Sequence, residues 1–539
     1  MVEVSLPLGA DFVSGTLHYR RGGEQGYGSG PIAMDDRLGA PAGTIPDTVA
    51  GPRGVEYWVE VESRTRALTF PASSPATSPD TIRITVAGLA EGASHPGGRY
   101  RMLSIPLDFG ADFSGSLADL LSGHPEFGPY NPVRWRAFRY DPGLRAYVEL
   151  SPAQAVAFRP VPGRAFWLIS RSAHRVDTAP VSALSTATGG DLAIVLAPGW
   201  NQIGDPFDFP VAWGSVRKSS MVDDPVAFDP ALGTYARAPV LRPFEGYFVE
   251  NRAPEPETIW VPPAEEPATE PPGAAEAPTP AAAGPDSWMV HLCARTEAAF
   301  DGANYCGIHP RAADEFDPLD QRKPPPIPGP WVQLAFANPA WRERPGLYRG
   351  DLRAPAEGHA WEIELRSARA GETIGLDLTP DSPLPQGLEL LLLDLEQGSS
   401  IEINPAGRSL VNCQLLSLGP DRPYRLKLVA GTAEYVAGTQ AAWIQIPAQV
   451  VLDQNAPNPW REATRIRFGL PRADRVRLEV YNVAGQRVAT LANEAMPPGY
   501  HTVLWDGATA TGRRAPSGVY FYRLTAGSNG FTRRLVIVR

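Results

Sequence analysis

Proline and glycine interrupt this chain so often that long regular helices have no room to form. They supply 58 and 52 of its 539 residues, about a fifth of the chain against roughly 12% in average usage. Proline removes a backbone donor and glycine loosens the backbone, so each shortens the regular element around it. Hydrophobic residues still make up 43%, too many for wholesale disorder. The combination predicts an all-β chain of short strands joined by turns. At roughly 150 residues per domain, the length predicts three or four domains.

Charge narrows the function. Lys and Arg total 49 against 59 Asp and Glu, a formal net charge of −10. A non-specific nucleic-acid binder needs a positive field, so no nucleic-acid partner is expected. Lys occurs only at 218, 323 and 427, and no polybasic run exists to hold an anionic membrane. No stretch reaches the roughly 18 apolar residues of a membrane span. The opening MVEVSLPLGADFVSG lacks the basic and apolar regions of a signal peptide. The expectation is that Met1 is not the natural start and that an upstream segment precedes it. Cys293, Cys306 and Cys413 are too few for a disulfide framework. Either all three are small core residues, or Cys293 pairs with Cys306 in an exported chain and leaves Cys413 over.

Five regions follow from the patterning. In residues 1–90, Val55, Tyr57, Val59 and Val61 alternate with Glu56, Trp58, Glu60 and Glu62, the period of a half-buried antiparallel strand. Tyr19-Arg20-x-Gly22-Gly23, then Ile45-Pro46, then Arg53-Gly54-x-x-Tyr57 resembles a family of bacterial extracellular immunoglobulin-like modules. Residues 96–262 contain an internal duplication, with repeats at about 96–180 and 190–262. RYRMLSIPLDF (99–109) answers PGWNQIGDPFDF (198–209), RAFRYDPGLRAYVEL (136–150) answers VAFDPALGTYARAPV (226–240), and RPVPGRAFWLIS (159–170) answers RPFEGYFVEN (242–251). The Asp-Pro block of each copy carries hairpin chemistry. Residues 263–287 are small, acidic or proline, a composition that cannot bury a core and reads as a semi-rigid spacer. Residues 288–447 alternate in about eight strands, a β-sandwich pattern. Their opening, with Asp301-x-x-Asn304, Gly307, Asp-x-x-Asp and a proline triplet, resembles a module seen near the C-terminal end of secreted bacterial proteins, one with no established activity.

A search for chemistry yields little. Gly-x-Ser-x-Gly, His-Glu-x-x-His, Cys-x-x-Cys and phosphate-binding glycine loops are not found, and no catalytic residues are assigned; the chain is expected not to be an enzyme. His291 and His309 lie near Cys293 and Cys306, but the spacing is wrong for zinc knuckles. No cofactor is expected except calcium, for which Asp314, Asp317 and Asp320 in a Pro-rich loop are the candidate ligands. Turn-capping carboxylates explain the same pattern. Trp167 and Tyr247 mark a possible sugar-stacking platform for surface glycans, and the competing reading is ordinary core pairing.

Residues 448–539 hold the most specific pattern. IRFGL, RVRLEVYNVAGQRVATL (a hairpin about Ala484-Gly485), YHTVLWDG, GVYFYRLTAG and RRLVIVR belong to about seven short strands in 90 residues, an immunoglobulin-like sandwich. The whole chain is therefore expected to be a row of immunoglobulin-like and other β-sandwich modules joined by a Pro-rich linker. Five blocks stand in order: Asn455, Pro457, Asn458, Pro459 and Trp460; Tyr481 with Gly485 and Val488; Trp505-Asp506-Gly507; Ser517-Gly518-Val519-Tyr520; and the terminal strand around Arg534. They resemble the C-terminal sorting domain of the type IX secretion system, in the variety related to the immunoglobulin-like domain of flagellar hook-capping protein. Trp460 replaces the family's Phe, and Arg534 its more usual Lys. The resemblance implies type IX translocation machinery as partner, and an extracellular or outer-membrane location. Two rival readings are a carbohydrate- or surface-binding adhesin, and the accessory tail of a secreted hydrolase, such as a peptidase, whose catalytic domain lies upstream of Met1.

Overall fold

Period-two alternation becomes strand burial along Val55–Ser63, where Val55, Val59 and Val61 are buried while Glu60 and Glu62 are exposed. The computed structural model describes residues 2–4, 11–110, 113–230, 233–266, 287–342, 344–401, 403, 410–443, 447 and 449–538. They form an all-β, multidomain chain. It divides into two compact units, Met1–Ala231 with Tyr235–Ala277, and Leu232–Thr234 with Pro278–Arg539. Most of the expected spacer, 267–286, lies outside the described residues. Among those residues no helix is long and apolar enough to cross a membrane.

The first unit opens with a seven-stranded sheet. Its order is Val2–Glu3, Ala40–Gly43, Gly28–Asp35, Phe12–Arg21, Val55–Ser63 and Ala67–Phe70, with Asp80–Ile82 also pairing to Val55–Ser63. Leu17, Ile32, Val59 and Val61 form its core. Trp58, on the opposite face from Val59, stacks on His18 at 3.7 Å.

Two four-stranded sheets follow. One runs Arg101–Ser104, Ala165–Ser170, Trp135–Asp141, Ala146–Glu149; the other runs Gly199–Gly204, Gly246–Asn251, Val226–Asp229, Thr234–Arg237. Strand order and register match: Trp167 faces Met102 across the ladder as Phe248 faces Gln202. The sheets exchange equivalent hydrogen bonds, Ser104 N–H to the Phe244 carbonyl at 3.3 Å and Gly204 N–H to the Gly163 carbonyl at 3.0 Å. Both acceptors have positive φ, +80° at Gly163 and +64° at Phe244. Aromatic rings cross the seam in the same reciprocal way. Trp167 meets Phe228 at 5.0 Å, and Phe248 meets Tyr140 at 5.4 Å, both edge to face, the geometry that ring quadrupoles favour.

The second unit contains eleven strands in one sheet rolled about a single core. The path is Ser399–Ile401, Glu389–Asp394, Tyr424–Gly431, Gly358–Ser367, Val332–Asn338, Gly346–Arg353, Phe300–Ile308, Trp288–Arg295, Thr373–Pro380 and Val411–Leu416, with Gln321–Arg322 paired to Gly346–Arg353. The sheet has eleven strands against the expected eight or so, and within it Phe300–Ile308 runs parallel to Gly346–Arg353. A helix, Ala433–Trp443, follows the strand Tyr424–Gly431, in a stretch to which the sequence pattern assigned no strand. Its Ala content favours helix, and Val436 anchors it on Leu393 and Val429. The last module is a sandwich of a three-stranded sheet (Val451–Leu452, Thr464–Leu470, Gly499–Trp505) and a four-stranded one (Arg487–Met496, Asp474–Asn482, Gly518–Ala526, Asn529–Ile537).

Close approach of the paired sheets in the first unit depends on two glycines. A Cβ on Gly204 would stand 2.1 Å from Ser104 Cβ, and one on Gly246 would stand 2.7 Å from Met102 Cβ. Gly204→Ala is therefore expected to lower the stability of this unit by about 1–3 kcal/mol, the usual cost of overpacking, read as a lower denaturant midpoint.

Candidate functional site

Four of the five C-terminal blocks meet at one end of the last sandwich. Asn455 is buried; its backbone N–H donates to the Tyr522 hydroxyl at 2.8 Å, and its side-chain amide donates to Thr464 Oγ1 at 2.9 Å and the Pro457 carbonyl at 3.2 Å. The peptide bonds before Pro457 and Pro459 are both cis. Asn458, between them, lies beside the terminal strand, where its Oδ1 accepts the Val536 N–H at 2.9 Å. Trp460 continues the clasp: its N–H donates to the Val536 carbonyl at 3.0 Å and its carbonyl accepts the Val538 N–H at 2.8 Å.

Under that clasp the Trp460 ring packs on Trp505 at 5.3 Å, and Trp505 on Tyr520 at 6.1 Å. Trp505 Nε1 donates to the Ala508 carbonyl at 2.9 Å, while Asp506 Oδ1 accepts the Ala508 N–H at 2.9 Å. Gly507 takes φ +85°, and a Cβ there would come to 3.0 Å from the Trp460 ring. The Tyr520 hydroxyl donates back to the Pro516 carbonyl at 2.9 Å, the tyrosine-corner arrangement of immunoglobulin-like sandwiches, just before Gly518 starts its strand. Tyr520 pairs with Asn482, and Tyr481 with Phe521. That ties in the fifth block, whose turn closes at Gly485 with φ +75°. The Tyr481 hydroxyl donates to Glu479 Oε2 at 2.8 Å. Arg534 contributes through its carbonyl, which accepts from Gln454 Nε2 at 2.7 Å, and its side chain is exposed.

The acidic loop assembles differently from a calcium site. Asp317 accepts the Ala313 N–H at 2.6 Å and the Leu319 N–H at 2.7 Å; Asp320 accepts the N–H groups of Asp317 at 2.9 Å and Leu352 at 3.1 Å. Their oxygens are committed to backbone donors. Asp314 stays exposed, 3.8 Å from His359. Among the described residues no three His, Cys, Asp or Glu side chains gather as metal ligands. Burial first, then the charges of Asp351 and Asp317, push the Asp320 carboxyl up to about 8 against the pull of its two N–H donors.

A cation does occupy the neighbouring oxygen cluster, and it belongs to the chain. Lys323 Nζ donates to Asp301 Oδ1 and Oδ2 at 2.8 and 2.6 Å and to Asn304 Oδ1 at 2.7 Å. Asp301 Oδ2 also accepts the Leu334 N–H at 2.7 Å. The compact ammonium, with three donors, matches three acceptors. Asp301-x-x-Asn304 and the lysine preceding the proline triplet thus form one buried clasp. Sequence reading noticed the acceptors and missed Lys323, although a lone lysine before three prolines was the available signal.

The sugar-platform reading fails on burial. Trp167 and Tyr247 both have 0% relative exposure. Trp167 is covered at the seam by Phe228 of the other sheet, and Tyr247, on the opposite face of its strand from Phe248, lies in a core with Leu196, Ile203 and Phe207. The three cysteines are free thiols, and Cys306 lies in the core of the rolled sheet. His291 pairs with Asp381 at 3.5 Å, and His309 Nδ1 accepts the Arg311 N–H at 3.1 Å.

Where the rolled sheet meets the last sandwich, a cavity of about 190 Å³ is lined by Asp394, Gln397, Tyr424, Arg465 and Thr502. The Tyr424 hydroxyl donates to Asp394, and the Thr502 hydroxyl to Gln397. Burial pushes the Asp394 carboxyl up to about 6. The arrangement is a polar seam that joins the two modules.

Residues 460–530 match the family described as the FlgD Ig-like domain. Among solved structures the chain is similar to PorZ of Porphyromonas gingivalis, described as an essential bacterial surface component of the type-IX secretion system. The identity is 15%, over 33% of this chain and 21% of that one, with a TM-score of 0.15. It is also similar to dimeric latent PorU from Porphyromonas gingivalis, at 10% identity over 47% of this chain and 30% of that one, TM-score 0.16. The chain spans less than a third of either structure's length. No curated protein matches it.

Lys323→Met should cost about 3–5 kcal/mol in denaturant unfolding, because it strands the Asp301 charge in the interior. Adding Asp301→Asn should recover part of that loss. Asp320 binds its proton more tightly folded than unfolded, where a carboxyl titrates near 3.9. Its stabilisation is therefore complete below about pH 4 and is lost as pH rises through about 8. Asp320→Asn should flatten that part of the pH–stability curve, at a cost of about 1 kcal/mol for one lost acceptor.

Proposed function

We propose that this chain is a non-catalytic part of a secreted or cell-surface bacterial protein, and that residues 448–539 act as its type IX sorting domain. The observation that carries the reading is the convergence of the signature blocks on one end of the last sandwich. Asn455, Trp460, Trp505 and Tyr520 are buried and set its shape, while Pro457, Asn458, Pro459, Asp506 and the Arg534 side chain remain exposed around it. The match of residues 460–530 to an immunoglobulin-like family supports the fold half of this reading. Recognition would then read shape and strand edge in a folded domain, with no covalent chemistry from this chain. Export across the outer membrane would be followed by display on the surface or release.

The test is deletion of residues 448–539 from a copy expressed in a host that has type IX machinery. The truncated protein should accumulate in the periplasm; surface appearance equal to that of the intact chain would refute the proposal. A fluorescent reporter with a signal peptide and residues 448–539 at its C-terminus should reach the cell exterior. The same fusion carrying Trp505→Ala, which empties the core beneath the blocks, should stay behind.

A further inference from the structure

In a chain of net charge −10, one cleft has only positive charge on its walls. It lies at the seam of the paired four-stranded sheets in the first unit, holds about 400 Å³, and is lined by Arg139, Arg164, Gln202, Val161, Pro162 and Ile194 among others, with no Asp or Glu. That volume falls in the range of about 300–1,000 Å³ usual for small-molecule sites.

The polar groups have been brought here at a cost. Arg164 donates through Nη1 to the Arg159 carbonyl at 3.1 Å. Burial first, then the like charges of Arg139 and Arg159, lower its pKa, and no carboxylate figures among the charges acting on it. Gln202 Oε1 accepts the Tyr140 N–H at 3.0 Å, which fixes the amide. Its Nε2 is then left buried with no hydrogen-bond partner among the described residues. A buried donor in a positive cleft lacks an acceptor that none of the described residues supplies.

The architecture does not demand this character. Matching strand order and register put Ala227 at the place of Arg139, Glu245 at that of Arg164, and Met102 at that of Gln202 in the reciprocal position. The same seam is therefore built once with these three polar groups and once without them.

We propose that this cleft binds a small organic carboxylate with a branched aliphatic body. The carboxylate lies between the Arg139 and Arg164 guanidiniums, whose planar forks suit its two oxygens, and accepts from Gln202 Nε2. The aliphatic part rests on Val161, Pro162 and Ile194. Tyr140 also lines the cleft, but its ring is buried against Tyr147 and Phe248. The apolar surface offered to a ligand is therefore the aliphatic one of Val161, Pro162 and Ile194, which sets the class of ligand. This site is independent of the export reading.

The test is calorimetric titration of the full chain with 4-methylpentanoate, 4-methylpentanamide and inorganic phosphate. The acid should bind with a Kd in the millimolar range, the uncharged amide should give no saturable heat, and phosphate should bind more weakly than the acid. Arg139→Ala and Gln202→Met each install the residue found at the reciprocal position. Arg139→Ala should leave the unfolding midpoint unchanged, whereas Gln202→Met also removes the acceptor of the Tyr140 N–H and should lower the midpoint while the chain still folds. Each should weaken the acid about tenfold. The proposal is overturned if the acid shows no saturable binding at tens of millimolar, if the folded Arg139→Ala variant binds it unchanged, or if phosphate binds as tightly.

Discussion

A sheet of four short strands cannot keep its apolar face dry alone, so it has to be covered by another layer of the same chain. This covering constraint shapes every module. In the first unit, two sheets of equal strand order lay aromatic rings into one another, with Trp167 against Phe228 and Phe248 against Tyr140. Glycines at 204 and 246 let the backbones close. In the second unit one long sheet curls until it covers itself. The last module answers with two sheets and a central column of Trp460, Trp505 and Tyr520. Aromatic side chains that would suit a ligand surface are used up as mortar.

Burying polar groups under those layers has a second consequence, which the Lys323 clasp makes visible. Asp301 and Asn304 are interior acceptors, and interior acceptors need a donor or a cation. The chain brings its own, from the residue between the strand Gln321–Arg322 and the proline triplet. Asp317 and Asp320 are satisfied likewise, by backbone amides. An acidic loop in a proline-rich stretch is here a self-satisfied joint.

Some of this was legible in the linear pattern and some was not, for a physical reason. Strands such as Val55–Ser63 and Asp474–Asn482 show in the sequence because buried Val59 and Val61 alternate with exposed Glu60 and Glu62, and buried Val476 and Leu478 with exposed Arg475 and Arg477. The seven strands of the last module follow from the same period and its turns. The fate of Trp167 was not legible. Its exposure depends on Phe228, some sixty residues away, and on a seam that no local period encodes. The helix Ala433–Trp443 escaped notice because, among its described side chains, Val436 alone is buried, with Tyr435 partly so, and that makes no amphipathic stripe to see. The candidate site divides along the same line. The blocks of the last module were visible as motifs, whereas their meeting depends on a loop-to-strand clasp. The arginine cleft, whose donors come from Arg139, Arg164 and Gln202, was invisible until two sheets were set face to face.

That clasp also decides what the end of the molecule can join. The last strand, Asn529–Ile537, is an outer strand, and open outer strands invite a second chain to continue the ladder. Here Asn458 and Trp460 take the Val536 and Val538 amides and the Val536 carbonyl, and Gln454 takes the Arg534 carbonyl. From Arg534 to Val538 the rim is stitched shut by the molecule's own loop. Copies crowded side by side at high density cannot zip together along this stretch.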